Sequence, residues 1–292
     1  MSKRILILLL LVFVNLLVTV PGCIAPAPPR LGKQVVTISV QPVYPLHVIS
    51  QKYSPLIAYL SRETGYSVRL ISAISYDSYF AILSANQVQI GIQEPTAYIT
   101  LVKTRRAYPL AKMLDPGGNA WHRAVIFSLQ GSGIDAPNDL KGKTVAATSR
   151  RSASGFLAQA LICRQSGIDV NKDIDFLFVN TQNAVIDAVY QGKADAGFIP
   201  EDGFPPAGAV TDFTSVKIVA YTEYLPAWCV AAFDDTPPEV ATAIDTALLS
   251  LDREKPEHRE ILEAIGISGF QKALDSDYDI VRELMSYMNF PY

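Results

Sequence analysis

The chain has 292 residues, of which 49% are hydrophobic, 18% charged and 10% aromatic. This composition is typical of a compact globular protein and excludes disordered and collagen-like chains. The 25 Lys and Arg residues and the 28 Asp and Glu residues give a formal net charge of −3, which excludes the broad basic surface of a nucleic-acid-binding protein. The length favours two domains.

The chain opens with the pattern of a secretory signal sequence. Lys3 and Arg4 precede an apolar run over residues 5–20, and a small residue stands before Cys23. The run is shorter than the roughly 20 apolar residues that a spanning helix needs. We therefore expect a cleaved leader, with an uncleaved anchor as the alternative.

A lipid-attachment motif follows the leader. Residues 20–23, Val-Pro-Gly-Cys, resemble a bacterial lipobox, so we expect residues 1–22 to be removed and Cys23 to be lipidated. An ordinary cleavage site beside an incidental cysteine is the competing interpretation. Residues 23–34 are rich in Pro and Ala and predict a weakly structured tether, through which acyl chains on Cys23 would hold the protein at a membrane surface.

Strand-like apolar runs then alternate with helical periods, which predicts an α/β fold with sheets covered by helices. The first series has strands at 35–40, 67–73, 88–93, 108–114 and 123–129 and helices at 54–64, 79–84 and 96–105. The second has strands at 143–149, 175–180, 194–199 and 216–222 and helices at 155–166 and 182–191. Helices at 239–251 and 278–288 form the tail, which we expect to contain no strand.

The helical tail needs a sheet to pack on, so we expect it to return to the first series of strands. Lobe one is then discontinuous, comprising residues 35–124 and 231–292, and lobe two comprises residues 125–230. The two crossings between the lobes are expected near 123–129 and 228–233. A cleft between two lobes joined in this way is the geometry of a solute receptor that closes about a hinge.

The most informative segment is 148–167, where a strand ends, Ser and Gly residues follow and an apolar helix begins. Ser152 and Ser154 can donate hydroxyl hydrogen bonds there. The free N–H groups and the dipole of a helix start favour an oxyanion at the same place. The plainer alternative is that Ser152 or Ser154 only caps the helix.

Several short motifs, in matching order and spacing, point to one family. They lie at 53–65, 76–79, 95–98, 139–143, 152–155, 187–192 and 195–197. On these motifs, nearly the whole mature chain resembles the phosphate-, phosphite- and phosphonate-binding proteins of ABC importers. The resemblance implies a two-lobed type II periplasmic-binding-protein fold, in which each lobe is a sheet flanked by helices and two hinge crossings join the lobes.

The resemblance also implies where the ligand is held. The loop of Ser152, Ala153, Ser154 and Gly155 would bind the oxygens of the phosph(on)ate, and Tyr98 would reach them from the other lobe. Ala153 stands where the family usually has Thr, so one hydroxyl is missing while the backbone N–H remains. The loss of one neutral hydrogen bond costs about 1 kcal/mol and weakens binding without abolishing it.

Two further departures from the family pattern put the identity of the ligand in doubt. Gln182 takes the place of a histidine at a helix start, and glutamine cannot become cationic near neutral pH. Gln89 and Glu94 stand where Asp and Gly are commoner. A carboxylate at the cleft would repel a dianion or attract a ligand ammonium.

Three other residues are candidate ligand contacts, each with a structural alternative. Tyr76 matches a tyrosine that the family places beside the ligand, but it would otherwise be a half-buried residue that opens a helix. Tyr44 follows the first strand, at the carboxyl edge where open α/β sheets usually bind ligands. Glu201, with Asp202, follows the strand at 194–199 on such an edge and could face a ligand amine, or could lie in a solvated loop.

No catalytic or metal-binding motif is visible in the chain, so we predict neither an enzyme nor a bound cofactor. After the leader only Cys163 and Cys229 remain, and we expect buried thiols rather than a disulfide. An enzyme on the same fold is the less favoured reading, because it would need a Cys or His nucleophile in the cleft.

We therefore expect an exported, monomeric lipoprotein that captures a small tetrahedral oxyanion and delivers it to the permease of an ABC transporter. The ligand would be a phosphonate, phosphite or phosphate. A sensor of the same fold that docks on a signalling partner is the alternative. Either interpretation requires residues 152–155 to face lobe one and not to be filled by the protein's own side chains.

Replacement of Cys23 tests the lipid anchor. Cys23→Ser removes the thiol that would carry the acyl chains, so the protein should leave the membrane fraction and lose palmitate labelling. Palmitate labelling that persists in this variant would refute the lipobox.

Overall fold

The computed structural model describes residues 33–179, 181–204 and 215–290. The predicted signal sequence, lipobox and nearly all of the tether lie outside these residues. Among the helices that are described, none combines the length and apolar character needed to cross a bilayer.

A six-stranded sheet forms the core of lobe one, in the order β13-β4-β12-β3-β1-β2. Its strands are β1 (Val35–Val40), β2 (Ser67–Ser72), β3 (Ile90–Gln93), β4 (Tyr108–Leu114), β12 (Cys229–Ala232) and β13 (Gly269–Lys272). β1 runs parallel to β2 and β3, whereas β12 is antiparallel to both β3 and β4. The helices of this part are α1 (Leu46–Thr64), α2 (Tyr76–Ser84), α3 (Pro95–Arg105), α6 (Pro238–Leu249) and α7 (Pro256–Ile265).

A five-stranded sheet forms the core of lobe two, in the order β10-β6-β9-β7-β8. Its strands are β6 (Ala124–Leu129), β7 (Lys143–Ala147), β8 (Ile174–Phe178), β9 (Ala196–Pro200) and β10 (Val216–Tyr221). The helices here are α4 (Ala158–Gln165) and α5 (Gln182–Tyr190). The parallel pairs β7–β8 and β7–β9 bring the carboxyl ends of these three strands to one edge.

The chain crosses between the sheets through two very short strands. β5 (Trp121–His122) pairs antiparallel with β11 (Leu225–Pro226) in a sheet of their own. The crossings predicted at 123–129 and 228–233 are therefore misplaced, because those segments form β6 and β12 inside the two main sheets. Apolar runs such as Ala-Val-Ile-Phe are best buried inside a sheet. The chain therefore crosses between the lobes in the shorter segments beside these runs. The predicted domain bounds themselves stay a prediction.

The last helix joins the two halves of the molecule. α8 (Asp279–Tyr287) contacts α3 of lobe one and α4 of lobe two. Arg164 of α4 donates to the carbonyl oxygen of Tyr287 at 2.5 Å. The tail thus packs on both lobes, although the sequence predicted a return to lobe one.

Other boundaries differ from the predictions for identifiable reasons. The tail contains the strand β13, which pairs with β4, and the unpredicted helix α7, which has Pro256 in its first turn and ends at Gly266 with φ 94°. α1 begins at Leu46 and includes Pro55 in its interior. The sequence predicted a start at residue 54, because the apolar face was recognised only from Leu56 onwards. Cys163 and Cys229 are buried and unpaired, as predicted.

A close packing contact in lobe two gives a stability prediction. An added Cβ at Gly197 of β9 would lie 2.2 Å from Cε1 of Phe127, its partner residue on β6. Gly197→Ala should therefore lower the free energy of unfolding by about 1–3 kcal/mol through overpacking, measured by urea denaturation. Gly269→Ala on β13 is the matched control, since its Cβ would meet Leu114 at an ordinary 3.5 Å. Equal stability of the two variants would contradict the prediction.

Candidate ligand-binding site

The serine loop, residues 152–155, begins a helix after β7. The Ser152 hydroxyl oxygen accepts a hydrogen bond from the Gly155 N–H at 3.1 Å, so Ser152 does cap the helix. The Leu157 N–H donates to the Ser152 carbonyl oxygen at 3.0 Å, which gives the first turn a π-helical form before α4. Because a hydroxyl both donates and accepts, the Ser152 proton remains available for an acceptor outside the helix.

Two features fix the position of the serine loop within lobe two. A Cβ at Gly155 would lie 2.1 Å from Oγ1 of Thr148, so only glycine fits there. The buried Gln159 amide donates to the carbonyl oxygens of Ser154 at 2.8 Å, Val125 at 3.3 Å and Ile199 at 3.2 Å. The helix start is thereby tied to β6 and β9.

Lobe one presents a polar cluster made by Gln41, Tyr76 and Glu94, each of which lies near the carboxyl end of a parallel strand. Gln41 Nε2 donates to Tyr76 Oη at 2.8 Å and to Glu94 Oε1 at 3.2 Å. Its Oε1 accepts the backbone N–H of Glu94 at 3.0 Å. The Tyr76 hydroxyl donates to Glu94 Oε1. Gln41 therefore fixes both the backbone and the carboxylate of Glu94.

Local sequence explains how these side chains are aimed. Ser75 caps α2 by accepting the Ser78 N–H at 3.1 Å, which places Tyr76 as the first helical residue. Glu94 precedes Pro95, which opens α3. Each side chain thus leaves the backbone where a helix starts at the sheet edge.

The serine loop faces this cluster. The Thr96 hydroxyl donates to the Arg151 carbonyl oxygen at 2.8 Å. The Arg151 guanidinium lies 5.5 Å from the centroid of the Tyr76 ring, and its Nη1 lies 3.9 Å from Asp77 Oδ1. These contacts join the chain just ahead of Ser152 to α2 and α3 of lobe one.

Glu94 itself reaches the serine loop. Burial raises the pKa of Glu94, while the hydrogen bonds from Tyr76 and Gln41, together with the nearby hydroxyls of Ser152 and Thr96, oppose that rise. Burial, followed by the nearby Glu94 charge, also raises the pKa of Tyr76, which keeps its proton. The loop therefore faces lobe one as required, but the requirement that none of the protein's own side chains reach it is not met at Ser152. The side chain that does so is a carboxylate, which is itself an oxyanion.

Tyr98 does not take the predicted role. It is fully buried, its hydroxyl donates to Asp275 Oδ1 at 2.5 Å, and its ring centroid lies 4.6 Å from that of Tyr278. The hydroxyl that was expected to reach the ligand is thus committed to Asp275, which also binds Arg282. This corrects the assignment, because Tyr98 faces the tail of the chain and supports its packing.

The other predicted residues make their described contacts away from the polar cluster of lobe one. Gln182 opens α5 and its side chain lies against Gly203. Glu201 forms a two-pronged ion pair with Arg123, both N–O distances being 3.0 Å. Tyr44 is 49% exposed, with Lys52 Nζ 5.4 Å from its ring centroid.

Sequence reasoning missed two residues of this site. Gln41 directly follows β1, on the edge that singled out Tyr44, and a polar residue at that point was the available signal. Thr96 lies inside the Pro-Thr-Ala-Tyr motif that pointed to Tyr98. Among the described residues, no group of His, Cys, Asp and Glu side chains could hold a metal ion.

Comparison with known proteins gives a consistent family. Residues 38–278 match the family model described as "ABC transporter, phosphonate, periplasmic substrate-binding protein". The phosphate-import protein PhnD of Mycolicibacterium smegmatis is 24% identical over 175 residues, which cover 56% of this chain and 54% of that protein. The chain thus spans about half the length of this curated relative.

Solved structures share the fold. PhnD1 of Prochlorococcus marinus in complex with methylphosphonate superposes with a TM-score of 0.76 at 16% identity, over 88% of this chain and 98% of that one. A binding protein component of an ABC phosphonate transporter from Pseudomonas aeruginosa gives 0.74 at 16% identity, over 88% and 87%. These likenesses confirm the predicted type II periplasmic-binding-protein fold, and the matched family is one of transport proteins rather than enzymes. On the match over residues 38–278, this chain belongs to the family of periplasmic substrate-binding proteins of phosphonate ABC transporters.

Proposed function

We propose that this protein captures a small tetrahedral oxyanion, a phosphonate, phosphite or phosphate, between its lobes and delivers it to the permease of an ABC importer. The observation that carries the proposal is the convergence of donors from both lobes. The Thr96 hydroxyl of lobe one donates to the Arg151 carbonyl oxygen beside the serine loop of lobe two, and the amide of Gln41 and the hydroxyl of Tyr76 meet at the Glu94 carboxylate.

The chemistry of these donors suits an anion that is only partly desolvated. A hydrogen bond to a charged group contributes about 1.5–3 kcal/mol, more than a bond between neutral groups. Hydroxyl and amide donors hold an anion through non-covalent bonds, and binding of this kind is reversible, as delivery to a permease requires. A carboxylate collects the Gln41 and Tyr76 donors, which supports an oxygen anion as the partner of the neighbouring serine loop.

The relatives support the ligand class. The Mycolicibacterium relative is named for phosphate import, and the Prochlorococcus structure contains methylphosphonate. Both are tetrahedral oxyanions of phosphorus. Lipidation at Cys23, attachment to a membrane surface, a monomeric state, the assigned domain bounds and ligand contacts by Tyr44, Gln182 and Glu201 stay predictions.

A thermal-shift screen tests the ligand class. Phosphate, phosphite, methylphosphonate and an aminophosphonate are compared at equal concentration, with sulfate and acetate as controls. A ligand that binds the folded state at 100 times its dissociation constant adds about 2.7 kcal/mol to the stability. A rise of the melting temperature with at least one phosphorus oxyanion, and none with acetate, is expected. The absence of a shift with all four would remove the proposal.

Ser154→Ala tests the serine loop by isothermal titration with the best ligand of the screen. The loss of the hydroxyl should weaken binding by about 1–3 kcal/mol. Ser154 is the better choice than Ser152, whose removal would also remove the helix cap. Ser54→Ala is the matched control, since the hydroxyl of the exposed Ser54 donates to the Ser50 carbonyl oxygen within α1. Unchanged affinity in Ser154→Ala would separate the loop from the ligand.

Tyr98→Phe tests the corrected role of Tyr98. The variant loses the hydrogen bond to Asp275 and should unfold more easily by about 1 kcal/mol, while its affinity for the ligand stays that of the wild type. Titration and urea denaturation measure the two quantities. Weaker binding with unchanged stability would return Tyr98 to the binding site.

A further inference from the structure

Glu94 is the feature of the site that the proposed function does not use. Its carboxylate takes the hydrogen bonds of Gln41 and Tyr76 and lies near the Ser152 hydroxyl of the serine loop that would hold the ligand. A phosphorus oxyanion bound at the serine loop would therefore lie beside a carboxylate. Two like charges in such proximity disfavour each other's ionised forms.

The surroundings of Glu94 do not neutralise this charge. Its hydrogen bonds come from the neutral side chains of Gln41 and Tyr76, and the nearby hydroxyls of Ser152 and Thr96 are neutral as well. Asp77 of α2 and Arg151 of the loop before α4 face each other at 3.9 Å, and Arg150 of the same loop lies against the rings of Phe156 and Phe178. The Arg151 guanidinium is thus shared with another carboxylate.

Glu94 also cannot rotate away from the site without breaking hydrogen bonds. Gln41 holds both its backbone N–H and its carboxylate, and Gln41 is itself fully buried. Pro95 restricts the backbone of Glu94 to extended conformations, as its φ of −67° and ψ of 162° show. The carboxylate is therefore a fixed wall of the site.

We propose that Glu94 is a specificity-determining residue that requires the bound oxyanion to share one proton with it. This inference rests on the proposed function. A singly charged phosphonate or phosphate has a P–O–H group that can donate to the Glu94 carboxylate. A sulfonate or sulfate has no such proton near neutral pH and would place a bare oxygen against the carboxylate. The site thereby selects protonated phosphorus oxyanions against sulfur oxyanions of the same shape.

The shared proton makes the affinity for the ligand depend on pH. The folded, ligand-bound protein holds one proton that a free dianionic ligand and an ionised Glu94 lack. Affinity is then full where the ligand retains its second proton. It weakens about tenfold per pH unit above the second pKa of the ligand. The raised pKa of Glu94 acts in the same direction.

The test compares wild type, Glu94→Gln and Glu63→Gln by titration with methylphosphonate and with methanesulfonate, at about pH 6 and about pH 9. Glu63→Gln is the matched control, because Glu63 pairs with Arg62 at the exposed end of α1. Wild type and control should bind methylphosphonate at least about tenfold more weakly at the higher pH and at least about 100-fold more tightly than methanesulfonate at the lower. Glu94→Gln should lose most of the pH dependence and bind methanesulfonate about tenfold more tightly than wild type.

A second measurement needs no variant. Titration of wild type with methylphosphonate at about pH 9, in two buffers of different ionisation enthalpy, should show uptake of about one proton on binding. No proton uptake, or the same pH dependence in Glu94→Gln as in wild type, would overturn the inference and leave the proposed function standing. Failure of wild type to bind phosphonate, phosphite and phosphate at either pH would overturn both.

Discussion

The whole arrangement depends on one partly buried carboxylate that is held by neutral donors. Removing part of the hydration of the Glu94 charge is costly, and well-placed hydrogen bonds offset that cost. Gln41 and Tyr76 of lobe one supply these bonds, and the Ser152 hydroxyl of lobe two lies near the same carboxylate. The bond from Thr96 to the Arg151 carbonyl oxygen joins the two lobes at this proposed site.

The position of these donors is a consequence of sheet topology. β1, β2 and β3 are parallel neighbours, so the residues at or soon after their carboxyl ends, Gln41, Tyr76 and Glu94, lie on one edge. The serine loop follows β7 in the same sense on the other sheet. The pairing of β5 with β11 and the packing of α8 on both lobes bring the two edges face to face. Local chemistry at strand ends thus becomes a cleft only through long-range contacts.

The same distinction explains what the sequence could predict. The serine loop was visible because its cues are local: a strand, small hydroxyl residues and a helix start in consecutive positions. In the structure the Ser152 hydroxyl accepts the Gly155 N–H and caps the helix, as these cues predict. Tyr98 was misassigned because its partner, Asp275, is 177 residues away, and nothing near Tyr98 indicates that a tail helix will cover it. The crossings were misplaced for a related reason, since β5 and β11 are only two residues long and have no periodicity to detect.

The departures from the family pattern become coherent when they are considered together. A histidine that can become cationic is replaced by Gln182, a hydroxyl is lost at Ala153, and a carboxylate is gained at Glu94. The changes at Ala153 and Glu94 make the proposed site less attractive to a highly charged anion, and Gln182 would act in the same direction as the ligand contact that it is predicted to be. A site with fewer cations and one added carboxylate favours a ligand of lower negative charge, because each unit of ligand charge meets less compensation. Hydroxyl and amide donors then set the geometry, while Glu94 limits how much charge they accept.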